Sequence, residues 1–375
     1  MQHQTLLATV PSSLPAHATG YLEIDQAAIR QNYQTLCSLL PKATCAAVLK
    51  ADAYGFGLKE VAPLLQKEGC TIFFVAHLEE ALSLRNILKE AQICVLSGCL
   101  KGTEDLFINE HLTPVLTDRD MVQRWSLKAE EKGEKLPCIL HMDTGMHRSG
   151  FDQNDIALLS DFKPFIEGVK VECTMSHLAS SHDFQSPLNE KQRAIFDTLR
   201  QKLPPAKASL ADTGGIYLGE AYHYDLVRPG KGLFGLYKAP QGAPALTPCL
   251  KLFARVLQVR TVPKGESVGY GATHTLGRDS KLATLGIGFA DGYDRRLSNK
   301  GAAFIQGFKA PVVGRISMDY TVIDVTDVPE TLCHAGSWVE LANELFTLDH
   351  LAESIDTISR ELSTGFGSRL HRVYR

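Results

Sequence analysis

Eight short runs rich in apolar and β-branched residues recur between about residues 21 and 237, each followed by a turn and a stretch of helical periodicity. The runs are 45–50, 71–75, 93–97, 113–116, 137–142, 169–175, 207–211 and 224–227. Runs that are apolar on both faces and joined by helices are typical of a buried parallel sheet. Eight of them in roughly 215 residues match a (β/α)8 barrel. An open doubly wound sheet is the alternative, but its usual glycine-rich first loop is missing here.

The pattern changes after Pro248. Five further runs follow one another with short Gly, Asp or Pro turns, at 252–259, 281–287, 302–306, 311–313 and 320–325. Short strands with tight turns are typical of antiparallel sheets. The sequence therefore predicts an α/β protein in which a TIM-type (β/α)8 barrel is followed by a mainly antiparallel β-domain. We expect a flexible leader over residues 1–20, the barrel over 21–245 and the β-domain over 246–375.

Composition excludes several classes of partner. Lys and Arg number 39 against 42 Asp and Glu, and a net charge of −3 gives no reason to expect nucleic acid or an anionic membrane. No apolar stretch approaches the ~18 residues of a membrane span. The nine cysteines form no C-x-x-C pair, which indicates reduced thiols in a cytoplasmic protein. The histidines show no H-E-x-x-H pattern, so no metal site is expected.

In a barrel, the residues just after each strand build the active site. Lys50 follows the first run, where desolvation would favour a neutral amine able to form a Schiff base with a carbonyl or with pyridoxal phosphate. The alternative is a solvated lysine at a strand end. Arg148 lies in the turn after the fifth run and is a candidate clamp for a carboxylate, or else a surface arginine.

The later runs are followed by residues suited to a flat, phosphorylated ligand. His177 follows the sixth run and is a candidate to stack on a cofactor ring, or a structural histidine. Glycine-bearing turns follow the last two runs, where barrels commonly bind phosphate through backbone N–H groups; the alternative is that these are ordinary turn glycines. The turns are Asp212-Thr213-Gly214-Gly215 and Arg228-Pro229-Gly230-Lys231-Gly232. In the second domain, Tyr270 stands between two glycines that could present its phenol to a neighbouring site, or else it is an ordinary turn tyrosine.

Taken together, these segments resemble the alanine racemases, a family of barrel-type pyridoxal-phosphate enzymes. The resemblance runs in order from about residue 21 to residue 375. Its most specific pieces are A-V-L-K-A-D-A-Y-G-F-G (47–57), M-D-T-G-M-H-R (142–148), L-V-R-P-G (226–230), G-Y-G-A-T (269–273), G-F-A-D-G-Y (288–293) and V-G-R-I-S-M-D (313–319).

The resemblance implies a role for each candidate residue. Lys50 is expected to hold pyridoxal 5′-phosphate covalently. The expected phosphate contacts are Tyr54, Thr213, Gly230 and Lys231. Arg228 is similar to the arginine that faces the pyridine nitrogen, where a permanent cation keeps that nitrogen unprotonated. His177 is expected to pack on the ring, and Arg148 and the backbone N–H of Met318 to bind the substrate carboxylate.

Racemisation removes the Cα proton on one face and returns a proton on the other, so it needs a base on each side. The resemblance implies that Lys50 serves the D-enantiomer and Tyr270 the L-enantiomer. In the family this tyrosine comes from the partner subunit, which implies a homodimer with shared active sites. Supply of D-alanine for peptidoglycan is also implied.

Four positions depart from the family pattern. His141 stands where many relatives carry a carbamylated lysine, Ser209 where a histidine often bonds the catalytic tyrosine, Phe289 where a tyrosine lines the substrate entry, and Arg360 where a tyrosine usually touches the phosphate. Three alternatives remain open: racemisation of another small amino acid such as serine, a barrel-type pyridoxal-phosphate decarboxylase, and a non-enzymatic pyridoxal-phosphate carrier.

Overall fold

The computed structural model of the protein describes residues 11–12, 14–157 and 159–375, without the side chains of 156–162. The expected flexible leader over 1–20 therefore lies partly outside the described residues, at 1–10 and 13. The chain forms two compact units, one of residues 30–247 and the other of the segment up to residue 29 together with 248–375.

The strands are β1 (Gly20–Ile24), β2 (Thr44–Cys45), β3 (Ala47–Val48), β4 (Ile72–Val75), β5 (Gln92–Val95), β6 (Leu112–Leu116), β7 (Pro137–His141), β8 (Lys170–Met175), β9 (Lys207–Ser209), β10 (Leu226–Val227), β11 (Leu250–Val262), β12 (Ser267–Val268), β13 (His274–Thr275), β14 (Ser280–Leu285), β15 (Ala302–Ile305), β16 (Phe308–Pro311), β17 (Thr321–Asp324), β18 (Trp338–Ala342) and β19 (His371–Tyr374). The helices are α1 (Gln26–Ser38), α2 (Lys50–Tyr54), α3 (Leu58–Lys67), α4 (Leu78–Ile87), α5 (Glu104–Asn109), α6 (Arg119–Lys132), α7 (Gln153–Ala157), α8 (Leu159–Gly168), α9 (Pro187–Arg200), α10 (Thr213–Tyr217), α11 (Leu348–Ser354) and α12 (Ser359–Gly365).

The unit of residues 30–247 is a closed parallel barrel. Strands β3 to β9 form one seven-stranded sheet in sequence order. Strand β10 completes the ring, because it pairs in parallel with β2 on one side. On its other side, the Asp225 N–H donates to the Ala208 carbonyl (3.1 Å) and the Arg228 N–H to the Ala211 carbonyl (2.9 Å). All eight apolar runs thus become barrel strands, and the predicted (β/α)8 architecture is confirmed.

The inside of the barrel is packed with side chains rather than open. One buried cluster takes its members from strands around the ring: Ala46, Val48, Phe74, Cys94, Val115, Ile139, Cys173, Met175 and Leu226. Such a core holds the strands in register, so residues that follow them at their carboxyl ends are presented from a rigid ring.

The second unit is a mainly antiparallel sheet, as the sequence predicts. Its main path runs β16-β15-β18-β11-β1-β19, and β14 pairs with both β11 and β17. The β1–β19 pair alone on this path is parallel among the described residues. No helix in the described ranges combines the length and the apolarity needed to cross a bilayer.

The start of the expected barrel, at residue 21, is corrected by the pairing of β1. This strand pairs with β11 in the register Gly20↔Ala254 to Ile24↔Leu250, so it belongs to the β-domain sheet. Tyr21 stacks on Phe253 with ring centroids 4.5 Å apart. Because the partner strand lies more than 200 residues away along the chain, local sequence pattern carries no signal of this pairing.

Candidate active site

Lys50 lies at the carboxyl end of β3, half-buried, and begins a turn of unusual handedness. Ala51, Asp52, Ala53 and Tyr54 all have φ between 52° and 58°, which is left-handed helical backbone. For residues with a Cβ this conformation costs roughly 1–2 kcal/mol each. Backbone strain of this kind persists only where surrounding contacts hold it, and it clusters at functional sites.

Two carboxylates hold this left-handed turn. The Ala51 N–H donates to Oε1 of Glu80 (2.6 Å), whose Oε2 accepts from the Ala76 N–H (2.7 Å) at the start of α4. Oδ1 of Asp52 accepts from the Leu58 N–H (2.7 Å) at the start of α3. Sequence reasoning missed Glu80 because it lies in a helix and not directly after a strand.

The predicted phosphate contacts meet where β9 and β10 end. A Cβ on Gly230 would lie 2.2 Å from the Tyr54 hydroxyl, so any larger residue there would have to displace the Tyr54 ring. The Gly232 N–H donates to Oγ1 of the buried Thr213 (3.1 Å). Lys231 lies between these glycines with its Nζ 4.7 Å from the centroid of the Tyr237 ring. The structure thus brings together the four residues predicted to bind a phosphate.

Arg228 is 4% exposed and is held by uncharged acceptors. Its Nε donates to Oγ of Ser209 (2.8 Å), and its Nη2 donates to the carbonyls of Ser176 and Leu210. Burial lowers the pKa of the guanidinium to about 10, so it stays protonated at neutral pH. Among the described residues its Nη1 makes no hydrogen bond, which leaves this nitrogen to donate to a ligand.

His177 and Arg148 line one small cleft, together with His141 and Ser176. The pKa of His177 is lowered to about 4, mainly by burial; Asp212 opposes the shift, while Arg228, Arg148 and Lys50 add to it. The imidazole is therefore neutral at physiological pH, which suits packing against a flat ring. Arg148 itself is exposed.

A buried amide supports this cleft from behind. Gln192, 0% exposed in α9, donates to Oγ1 of Thr144 (3.2 Å) and to the His177 carbonyl (3.0 Å), and accepts from the Ala179 N–H (2.8 Å). It thereby ties the loops after β7 and β8 together. Its polarity at a buried helix position is the sequence signal that could have identified it.

The β-domain presents its two candidates on exposed loops. Tyr270 is 70% exposed, in a turn where Gly269 and Gly271 both have φ of 72°. Met318 is 56% exposed, and its carbonyl accepts from the Ala290 N–H (3.0 Å). The loop carrying Phe289 therefore lies directly against Met318.

The four departures from the family pattern have definite surroundings. His141 is buried, and burial with the charges of Arg228, His177 and Arg148 lowers its pKa to about 3. Ser209 is buried and accepts a hydrogen bond from Arg228. A serine at this position therefore contacts that guanidinium in this chain. Phe289 is 40% exposed, and Arg360 is exposed in α12.

The residues at this end of the barrel fit pyridoxal 5′-phosphate. The fit rests on an amine at a strand end, a buried cation with an unengaged N–H, a neutral imidazole, and a glycine backbone against which a Cβ would collide. The amine suits the aldehyde of pyridoxal 5′-phosphate and the cation suits its pyridine nitrogen. The imidazole suits the face of its ring, and the glycine backbone suits its phosphate.

Comparison with known proteins agrees with this reading. Family models of the alanine racemase N-terminal and C-terminal domains match residues 24–238 and 249–374. An alanine racemase of Rhodospirillum rubrum is 41% identical over 95% of this chain and 96% of its own, and one of Brucella abortus is 40% identical over 95% and 94%. The crystal structure of alanine racemase from Bartonella henselae with covalently bound pyridoxal phosphate superposes with a TM-score of 0.92 at 37% identity, covering 96% of this chain and 100% of that one. The chain belongs to the alanine racemase family.

Proposed function

We propose that the protein interconverts L-alanine and D-alanine with pyridoxal 5′-phosphate, and that Lys50 and Tyr270 carry the proton on opposite sides of the substrate. One observation carries this assignment: the residues expected to bind the cofactor follow strands of one parallel barrel. They are Lys50, His177, Thr213 and Arg228. Family membership, with relatives near 40% identity over almost the whole chain, supports the substrate.

The bound cofactor would supply an electron sink that acidifies the substrate's Cα proton. The chain's own groups then move that proton. The Nζ of Lys50 takes it from the D-enantiomer or returns it on the same side, and the phenol oxygen of Tyr270 does so on the other side for the L-enantiomer. Arg148 and the Met318 N–H orient the substrate carboxylate.

Arg228 favours racemisation over the side reactions of the cofactor. It remains a cation at neutral pH, and its unengaged donor is suited to hydrogen-bonding an unprotonated pyridine nitrogen. An unprotonated ring withdraws electrons less strongly, which disfavours side reactions such as transamination. Ser209 supports this role, because its hydroxyl accepts from Nε and donates to the Leu226 carbonyl (2.7 Å).

A homodimer with shared active sites completes the proposal. The 70% exposure of Tyr270 supports it, because a proton carrier so open to water needs a partner surface to enclose it. We also assign the protein to the cytoplasm, with its product feeding peptidoglycan. All nine cysteines being free supports the first of these assignments.

The direct test is borohydride trapping of the holoenzyme followed by peptide mapping and an assay of D-alanine formed from L-alanine. We expect one reduced adduct, at Lys50, and racemisation that is lost in Lys50→Ala. An adduct at Lys50 without racemisation would retain cofactor binding but refute the activity. Faster turnover of serine than of alanine would refute the substrate assignment, and release of carbon dioxide would identify a decarboxylase.

The side assignment is tested by Tyr270→Phe in D2O. We expect incorporation of solvent deuterium into L-alanine to fall about 10²- to 10⁴-fold, the usual contribution of a positioned acid–base group. Exchange into D-alanine, which needs only Lys50, should persist. Tyr222→Phe is the matched control, since the hydroxyl of Tyr222 donates to Glu190 instead (3.3 Å). Equal losses of exchange from both enantiomers would contradict the assignment.

A further inference from the structure

The backbone of Met318 is held by two hydrogen bonds from the loop over residues 288–291. The Phe289 N–H donates to the Ser317 carbonyl (3.0 Å), and the Ala290 N–H donates to the Met318 carbonyl (3.0 Å). In a trans peptide unit the N–H points away from the carbonyl of the same unit. The Met318 N–H therefore points away from the 288–291 loop, and it makes no hydrogen bond within the described part of the chain.

The 288–291 loop is held in turn by the buried carboxylate of Asp291. Oδ2 of Asp291 accepts from the Gly288 N–H (2.8 Å), and the Asp291 N–H donates to the Gly288 carbonyl (3.1 Å). These two bonds close the loop into a single turn, with Phe289 and Ala290 between its ends. The two N–H groups that fix the backbone of Met318 therefore depend on the Asp291 side chain.

The guanidinium of Arg369 joins this loop to the segment that carries Met318. Its Nε and Nη2 donate to the two carboxylate oxygens of Asp291 (2.7 and 2.9 Å), and its Nη1 donates to Oδ1 of Asp319 (2.8 Å). A bidentate pair with a buried carboxylate fixes the plane of a guanidinium, so the third donor is already directed at Asp319. Because Asp319 directly follows Met318, one side chain restrains both loops.

We infer that Arg369 is a positioning residue for substrate binding: through Asp291 and Asp319 it keeps the Met318 N–H directed at the substrate carboxylate. This role rests on the proposed function, in which that N–H orients the carboxylate. Arg369 acts through Met318 and does not touch the substrate itself. The carboxylate takes no part in proton transfer and is the same group in L-alanine and D-alanine. Loss of the restraint should therefore weaken the binding of both enantiomers equally.

A purely structural role for Arg369 has a different kinetic signature. Loss of folded protein would reduce the amount of active enzyme, which lowers the apparent kcat and leaves KM unaltered. Loss of an interaction made equally in the ground state and the transition state raises KM and leaves kcat unaltered. The two roles can therefore be separated even where a substitution also lowers stability.

The test measures KM and kcat of the holoenzyme for L-alanine and for D-alanine in variants of this pair. Asp319→Ala removes the acceptor of Nη1 and leaves the pair of Arg369 with Asp291 in place. We expect KM to rise about fivefold for both enantiomers with kcat unchanged, which is the upper end for a half-exposed ion pair. Asp319→Asn keeps an acceptor oxygen and should recover most of the loss. Arg369→Lys should raise KM as well, because one ammonium cannot reproduce the planar fork.

A second measurement involves no proton transfer. Propionate has the carboxylate of alanine but lacks its amine, and calorimetry gives its Kd for the holoenzyme. We expect this Kd to rise in Asp319→Ala by the same factor as KM. The matched control is Asp327→Ala, which removes another exposed carboxylate of the β-domain, one paired with Arg278. It should leave KM, kcat and Kd unchanged.

Three results would overturn the positioning role. They are an unaltered KM and Kd in Asp319→Ala, a lower kcat with KM unaltered, and equal changes in Asp319→Ala and Asp327→Ala. Failure of the proposed function would look different, because the unaltered holoenzyme would then bind propionate without racemising alanine. In that case the Kd values for propionate still decide whether Arg369 positions the Met318 N–H.

Discussion

At the scale of single residues, two histidines at the carboxyl ends of the barrel strands lie close to arginine side chains. His141 and His177 share a cleft with Arg148, and Arg228 acts on both rings. Burial and positive charge both disfavour a protonated imidazole, so these histidines stay neutral far below their usual range. Their neutrality has a measurable consequence for stability.

We predict that the folded protein loses stability as pH falls from about 6.5 towards 3, and that His141→Gln reduces this loss. The pKa of His141 is lowered from 6.5 to about 3 on folding, so between these values the unfolded chain binds the extra proton. Unfolding then becomes easier as pH falls, by up to about 1.4 kcal/mol per pH unit for this one group. Urea unfolding at a series of pH values measures the slope.

His182→Gln, at an exposed histidine, is the control for the loss of one imidazole. An identical slope in His141→Gln and in the unaltered protein would show that His141 is not held neutral by the fold.

Some residues of the candidate site could be predicted from the sequence, and others could not. Lys50, Arg228, His177 and Thr213 follow strands, and position together with residue type made them candidates. Glu80 and Gln192 support them from helices, where a polar residue gives no sign of which backbone group it will meet. The direction of the Ser209 hydroxyl towards Arg228 likewise depends on the neighbouring strand.

At the scale of elements, apolar patterning predicted the barrel because each strand is short, local and buried on both faces. Helix α3 buries Leu58, Val61, Ala62, Leu64 and Leu65, which is the stripe its spacing predicts. The left-handed turn over residues 51–54 is different. Ala, Asp and Tyr do not favour positive φ, so no local preference announces it. Its first N–H, that of Ala51, is bound by the Glu80 carboxylate from another helix, and local sequence gives no sign of that contact.

We predict that Glu80→Gln destabilises this left-handed turn. The substitution removes the charge and one of the two oxygens that accept from Ala51 and Ala76. Loss of a charge-assisted hydrogen bond should lower the free energy of unfolding by about 1–3 kcal/mol. Hydrogen exchange of the peptide spanning 49–57 should also become faster.

Glu79→Gln is the matched control, because Glu79 precedes Glu80 in the same first turn of α4 and is exposed. Both changes remove one charge near the helix start. Equal effects of the two would mean that the contact with Ala51 contributes nothing.

At the scale of the whole molecule, each compact unit carries one of the two tryptophans, Trp125 in the barrel and Trp338 in the β-domain. Each can report its own unit when the other is replaced by Phe. The β-domain also contains a buried carboxylate, Asp291, which accepts from Arg369 Nε (2.7 Å) and Nη2 (2.9 Å) and from the Gly288 N–H (2.8 Å).

We predict that Asp291→Asn weakens the β-domain selectively. It leaves the donors of Arg369 and Gly288 with one acceptor oxygen in place of two, which should cost about 1–3 kcal/mol. The urea midpoint reported by Trp338 should fall, while that reported by Trp125 stays within experimental error. Asp327→Asn, in an exposed pair with Arg278, should leave both midpoints unchanged. Equal falls in both would show that the units unfold as one.

The pairing of β1 also imposes an order on synthesis. The ribosome makes Gly20–Ile24 before any barrel residue, yet its partners begin at Leu250 and His371. At about 5–20 residues per second, on the order of ten to fifty seconds pass before the first partner emerges. All barrel residues are translated within that interval, during which β1 has no partner strand. Nascent chains halted shortly after residue 247 should therefore expose this segment to chaperones. Chaperones should dissociate from it only after the strands that pair with it, β11 and β19, have been translated.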